Sequence, residues 1–202
     1  MKNNVCIIKI GSTGNLLSVE RALALAGANV VHYTKGFDFS KIDKIVLPGV
    51  GNFKDAMSSM EKDKEIFLNA ILSKPTLGIC LGMQVLAQFG FEDGESKGLG
   101  LIDGEVIKMN VKGKLPHLGW NCIIQNPKNK SPLFKNFELN EKFYFMHSYE
   151  FVNFTDFSTL TSYNNHKFVS SLFKGNLFGV QFHPEKSGQA GLKLFRNFLE
   201  LE

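Results

Sequence analysis

The sequence predicts an α/β fold with a mainly parallel central sheet flanked by helices and an antiparallel addition in the second half. Two patterns carry this expectation. In the first half, short apolar runs alternate with segments whose apolar residues recur at helical spacing, the signature of βαβ units. In the second half, two β-rich runs at 168–173 and 177–182 flank Lys174-Gly175-Asn176, a hairpin signal. At 202 residues and 22.6 kDa the chain fits one domain, 1–202, better than two small ones.

The elements follow in order. Residues 5–10 form an apolar run ending at Gly11 and read as the first strand. Leu16, Val19, Leu23 and Ala26 mark one face of a helix that Gly27 closes as a C-cap. Val30-Val31 and Ile45-Val46-Leu47 read as short buried strands. A polar amphipathic stretch spans 53–72, and 75–79 is another strand, followed at once by a helix-compatible run over 81–89. Phe143-Tyr144-Phe145-Met146 is an aromatic strand. From about Ser187 a last helix puts Leu194, Phe195, Phe198 and Leu201 on one face. Residues 126–132 are the most loop-like stretch.

Composition narrows the function. Hydrophobic residues make up 44% and charged residues 21%, a globular balance. A net charge of +4 without a basic run leaves no footprint for nucleic acid or a membrane surface. No apolar stretch is long enough to span a bilayer and no signal peptide is apparent, so a cytoplasmic location is expected. The three cysteines, Cys6, Cys80 and Cys122, are odd in number and far apart, which excludes a disulfide scaffold and a CxxC metal cluster. No metal or other cofactor is expected.

Gly78-Ile79-Cys80-Leu81-Gly82 is the most informative segment. Glycines two before and two after the cysteine suit a sharp strand-to-helix turn, because they remove the β-carbons that would collide where the backbone doubles back. This is the geometry of the G-x-S-x-G nucleophile elbow with sulfur in place of oxygen. A helix start beside the sulfur favours the thiolate, and the Leu81 amide would point at a developing oxyanion. Taken alone, the pattern fits a buried structural cysteine equally well.

Partners for Cys80 stand near the C-terminus, in Gln181-Phe182-His183-Pro184-Glu185. Side chains at i and i+2 of an extended segment project to one side. Glu185 can therefore orient the His183 imidazole, completing a nucleophile, base and orienting acid. In a parallel sheet the C-terminal strand ends cluster at one edge, so separation in sequence is no obstacle. Leu47-Pro48-Gly49-Val50-Gly51 ends a strand at that edge, where its glycines let an amide face an oxyanion. By itself that block reads better as an ordinary strand-ending turn.

Together these motifs resemble the triad-type (class I) glutamine amidotransferases, whose fold is flavodoxin-like. Further blocks are similar to the glutaminase-subunit family (HisH type) of imidazole glycerol phosphate synthase. They are Leu47-Pro48-Gly49-Val50-Gly51, Gly98-Leu99-Gly100-Leu101-Ile102, Pro116-His117-Leu118-Gly119-Trp120-Asn121, Tyr144-Phe145-Met146-His147-Ser148-Tyr149 and Gln181-Phe182-His183-Pro184-Glu185-Lys186-Ser187-Gly188. The resemblance runs from about Gly14 to Phe198. It implies glutamine hydrolysis by a Cys80–His183–Glu185 triad, with an oxyanion hole at Val50, Gly51 and Leu81. It also implies substrate contacts from Gln84, Glu92, His147, Ser148 and Tyr149. The implied partner is a (β/α)8-barrel cyclase subunit (HisF type) in a heterodimer, to which ammonia is passed through protein, with Trp120, Asn121 and Lys186 facing it.

One block departs from the family pattern. Relatives carry Asp-Tyr-Gly-x-Gly-Asn after the first strand, whereas this chain has Lys9-Ile10-Gly11-Ser12-Thr13-Gly14-Asn15, one residue longer and without the acid or the tyrosine. The departure leaves open a paralogous role, supplying ammonia to a sugar-nucleotide amidation system. A peptidase or thioesterase on a similar elbow is disfavoured by Gln84, Glu92 and the Pro-Gly-Val-Gly block. A silent binding subunit is disfavoured by the intact triad.

Overall fold

The structure is a computed structural model that describes all residues except Met1, Thr13, Leu139, Asp156 and Glu202. The Lys9–Asn15 departure therefore lies partly outside the described residues, at Thr13. A nine-stranded sheet forms the centre. Asn29–His32, Asn4–Ile7, Lys44–Val50, Thr76–Cys80 and Leu177–Val180 lie side by side and parallel. The antiparallel strands His166–Lys174, Phe157–Tyr163 and Ile124–Gln125 extend it on one edge. This is the expected mixed architecture, with the addition entering through the Lys174–Leu177 hairpin, where Gly175 takes φ +61°.

Alternation along the strands divides the core. Val5, Ile7 and Val46 point to one face, where they meet Val19 and Leu23 of the helix Leu16–Ala26 and Leu194, Phe195 and Phe198 of the helix Gly188–Leu199. Cys6, Ile45 and Leu47 point to the other, against Phe53 and Met60 of Phe53–Met60 and Phe67 and Ile71 of Lys64–Ser73. Gly27 caps the first helix in the left-handed conformation at φ +112°, with its amide on the Ala24 carbonyl, in keeping with its position.

Several boundaries differ from the sequence reading, each for a local reason. The run 5–10 is not one strand: Asn4–Ile7 pairs on both sides, and Ile10–Gly11 pairs separately with Lys44–Val50. The stretch 53–72 is two helices separated by a 3₁₀ turn at Glu61–Asp63. Val30-Val31 belongs to the sheet edge and is only half-buried. The last helix ends at Leu199, so Leu201 lies beyond it.

The largest departure follows the elbow. The helix expected over 81–89 is one turn, Leu81–Gln84. Carbonyls of the next residues are taken by a returning segment: Leu99 N–H donates to Val85 O, Ile102 N–H to Leu86 O, and Gly100 N–H to Ala87 O. A β-carbon at Gly98 would collide with the Ala87 carbonyl oxygen. The Gly98–Ile102 block therefore buttresses the segment behind the elbow, and the helix dipole beside Cys80 is that of one turn.

Candidate active site

Cys80 ends the strand Thr76–Cys80 with φ +53° and ψ −109°, a conformation outside the ordinary regions for a residue with a side chain. The flanking glycines explain how the chain holds it. A β-carbon at Gly78 would run into the Gly82 carbonyl, and one at Gly82 into the Leu47 carbonyl. The elbow is thus packed backbone against backbone, and it lifts the Cys80 side chain out of the sheet edge.

His183 and Glu185 lie behind the cysteine, and both side chains are fully buried. His183 Nδ1 lies 2.8 Å from Glu185 Oε1. The pairing is the expected one, but an extended i, i+2 segment is not its cause. The strand stops at Val180, His183 is extended, and Pro184–Lys186 curls into a 3₁₀ turn that swings Glu185 back beneath the ring. Two hydrogen bonds fix the histidine backbone, His183 N–H to Tyr144 O and Ser187 Oγ to His183 O, and a third, Tyr144 N–H to Ser187 Oγ, holds the serine in place. Burial opposes protonation of His183, but the Cys80 sulfur and then the Glu185 carboxylate outweigh it and raise its pKa to about 10. Among the described residues the opposite ring nitrogen, Nε2, is buried without a hydrogen-bond partner.

In front of the sulfur is a pocket of about 210 Å³. It gathers Val50, Gly51 and Leu81 with Gln84, Glu92, His147, Ser148 and Tyr149, so each residue expected for the oxyanion hole or for substrate contact lines one space with Cys80. Leu81 opens a helix, so its amide has no intrahelical acceptor. Gly51 takes φ +112°, and the Val50 carbonyl accepts from Ser12 N–H at 3.1 Å. Glu92 accepts from Phe53 N–H at 2.8 Å, at the start of the helix Phe53–Met60, and burial raises its carboxyl pKa. Gln84 Nε2 donates to Tyr149 O at 3.3 Å and to Gln181 Oε1 at 3.0 Å, which leaves its own Oε1 for a ligand. Pro116 and Met146 also line the pocket, and the motifs assign neither a role there.

Three polar residues that complete the site stand within the quoted segments, which assign them no role. Asn15 Nδ2 donates to Glu185 Oε1 at 3.0 Å. Gln181, fully buried, donates from Nε2 to the Cys80 sulfur at 3.6 Å. His117 Nδ1 meets His147 Nε2 at 3.3 Å, while His147 Nδ1 donates to Tyr149 O at 2.8 Å. For Gln181 a signal exists, since a glutamine inside an otherwise apolar strand end calls for a buried partner.

Trp120, Asn121 and Lys186 lie apart from the pocket lining. Trp120 is 56% exposed and meets the Tyr144 ring edge-on at 5.9 Å, while Lys186 Nζ stands 5.8 Å from the centroid of the same ring. Asn121 donates to Ser162 O at 2.8 Å and meets His117 Nε2 at 3.4 Å. Burial pushes the Cys6 thiol up to about 12, which suits a packing residue. Among the described residues no cluster of three or more His, Cys, Asp or Glu side chains could hold a metal ion, and no helix is long and apolar enough to cross a membrane.

The chain matches the glutamine amidotransferase class-I family over residues 13–201. It is 44% identical over 198 residues to the imidazole glycerol phosphate synthase subunit HisH 1 of Methanococcus maripaludis, covering 94% of this chain and 96% of that one. It is 42% identical over 197 residues to subunit HisH 1 of Campylobacter jejuni strain RM1221, with coverages of 93% and 96%. In fold it is similar to PurLQS from Thermotoga maritima, with a TM-score of 0.73, 22% identity and 98% of each chain covered. It is also similar to a glutamine amidotransferase from Thermotoga maritima, with a TM-score of 0.62, 15% identity and coverages of 92% and 77%.

Proposed function

The chain belongs to the class-I glutamine amidotransferases, and from that premise we propose that it is the glutaminase subunit of an imidazole glycerol phosphate synthase, acting as one domain in the cytoplasm. The observation that carries the reading is the elbow cysteine at the head of a pocket, backed by the buried His183–Glu185 pair.

The chemistry follows from the arrangement. The Cys80 thiolate attacks the side-chain amide carbon of glutamine, and the carbonyl oxygen becomes an oxyanion. The Leu81 amide and the Val50–Gly51 backbone are the candidate donors to it. His183, held protonated by the sulfur and by Glu185, gives its proton to the departing ammonia. Thioester formation then removes the negative sulfur that raised the histidine. The ring is freed to take a proton from water, which attacks the thioester and releases glutamate. Glu92 would receive the substrate ammonium, and the free Gln84 Oε1 would accept a hydrogen bond from the bound glutamine.

Ammonia released into neutral water becomes ammonium and loses its nucleophilicity, so the product needs a protected path to a second site. The relatives at 44% and 42% identity are named as HisH subunits, which supports a (β/α)8-barrel cyclase (HisF type) as the partner and histidine biosynthesis as the destination. The exposed Trp120 beside Lys186 supplies an aromatic and cationic surface of the kind that anchors an interface. The assay is glutamine-dependent against ammonia-dependent synthesis by the chain paired with a histidine-pathway cyclase. Cys80→Ala should abolish the first and leave the second. Glutamine turnover that survives the substitution overturns the triad, and failure to support any histidine-pathway cyclase overturns the partner.

A further inference from the structure

We propose that Gln181 is a catalytic residue: its carboxamide donates a hydrogen bond to the Cys80 sulfur and stabilises it as a thiolate, both when it attacks and when it leaves. The inference deepens the glutaminase reading above and rests on it for its role in turnover.

The direction of the hydrogen bond is set by a chain of groups that cannot exchange roles. The Tyr149 carbonyl can only accept, and it is also held by His147 Nδ1 at 2.8 Å. Gln84 must therefore turn its NH₂ group toward Tyr149 O, at 3.3 Å. The second hydrogen of that group reaches Gln181 Oε1 at 3.0 Å. With its oxygen committed there, Gln181 presents its own NH₂ to the sulfur at 3.6 Å. A flipped amide would set two NH₂ groups against each other and a carbonyl oxygen against the sulfur. The backbone is fixed as well, since Gln181 N–H donates to Ser170 O at 2.9 Å.

The rest of the sulfur's surroundings make this donor consequential. On another side lies the Met146 carbonyl, 4.0 Å away, which suits a thiol hydrogen and repels a thiolate. His183 provides charge, but it must lose its proton for the hydrolytic half of the reaction. Gln181 is neutral and keeps its donor throughout. It can therefore raise the fraction of sulfur present as thiolate for the attack on glutamine, and assist its later departure as thiolate when the water adduct collapses.

The test is the pH dependence of Cys80 alkylation by iodoacetamide in the full chain, followed by mass spectrometry of the Cys80 peptide, with glutamine hydrolysis measured in parallel. Gln181→Met removes the donor at similar length. Loss of one hydrogen bond to a charged acceptor should move the rising limb of the profile up by about one pH unit, a tenfold change. The less stabilised thiolate is also more nucleophilic, so the alkaline plateau should rise about threefold. A purely structural effect would scale the whole profile without such a crossing. Should Gln181→Met fail to fold, Gln181→Asn, which draws the donor back by one methylene, should move the limb in the same direction. An unshifted limb in the folded variant overturns the proposal. Absence of glutamine hydrolysis by the wild-type chain, alone and with a cyclase, would instead overturn the glutaminase reading, and the alkylation profile would still decide whether Gln181 stabilises the sulfur.

Discussion

Asn15 and Glu185, 170 positions apart in sequence, meet through a 3.0 Å hydrogen bond on the same carboxylate oxygen that faces His183. Among the described residues Glu185 Oε2 is buried without a partner, so the carboxylate depends on the two donors at Oε1. Asn15 sits just before the helix Leu16–Ala26 and links the divergent first turn to the triad. Asn15→Leu would leave a buried carboxylate with one donor, a loss on the order of 1.5 kcal/mol. We expect glutamine turnover to fall about tenfold with little change in KM, because Asn15 does not line the pocket. Steady-state kinetics check this, and a loss confined to KM would contradict it.

The glycines of the elbow invite a stability test. A methyl group at Gly82 has the Leu47 carbonyl in its way, and the obstacle at both Gly82 and Gly78 is backbone rather than a flexible side chain. Gly82→Ala should cost at least about 3 kcal/mol, at the severe end of single substitutions. Gly94→Ala serves as a comparison, since its β-carbon meets nothing within 4 Å and only its φ of +98° is strained. Urea unfolding of the two variants should show the larger loss at Gly82. Equal losses would mean that the backbone around Leu47 and Gly82 gives way, so that collision is not what requires glycine there.

This collision also shows why part of the site is legible in the sequence. The elbow is a local constraint: residues 78–82 declare it through the positions of their glycines. The His183–Glu185 pair is legible for the same reason, although a 3₁₀ turn after Pro184 brings it about rather than an extended strand. The length of the helix after Cys80 is not legible, because amides from 98–102 claim the carbonyls of 85–88 and no local pattern announces that. The partners of Asn15, Gln181 and His117 are hidden for a related reason. Each acts through a hydrogen bond to a residue 30 or more positions away, and the fold must exist before the pair does.

The two neighbouring histidines carry a pH dependence. Burial lowers His117 to about 4 and His147 to about 3, so both rings are neutral in the folded chain at neutral pH. Below about 6.5 the unfolded chain takes up protons that these rings refuse, so folding loses about 1.4 kcal/mol per pH unit for each ring until its folded pKa is reached. His183 behaves oppositely, since its raised value adds stability that is fully present below 6.5 and disappears only as pH rises toward 10. The acid loss is therefore not offset by a changing His183 contribution. Urea unfolding between pH 6.5 and 5 should show a steep decline, and His117→Gln should remove about half of the slope. An unchanged slope in that variant would show that His117 is not one of the titrating groups.

The exposed aromatic surface separates catalysis from assembly. Trp120 rests edge-on against Tyr144 with Lys186 nearby, and it does not border the pocket that holds Cys80. Truncating it in the isolated chain removes only the contact of a half-exposed ring with Tyr144, a loss of no more than about 2 kcal/mol. Burial of the same ring against a cyclase would make it an anchor, for which truncation costs about 2 kcal/mol or more of binding. Trp120→Ala should accordingly raise the Kd for the cyclase by at least about 30-fold, measured by calorimetric titration, while the melting temperature of the free chain falls by several degrees at most. Undiminished binding would place the partner on another face, and a large drop in melting temperature would make Trp120 a folding residue.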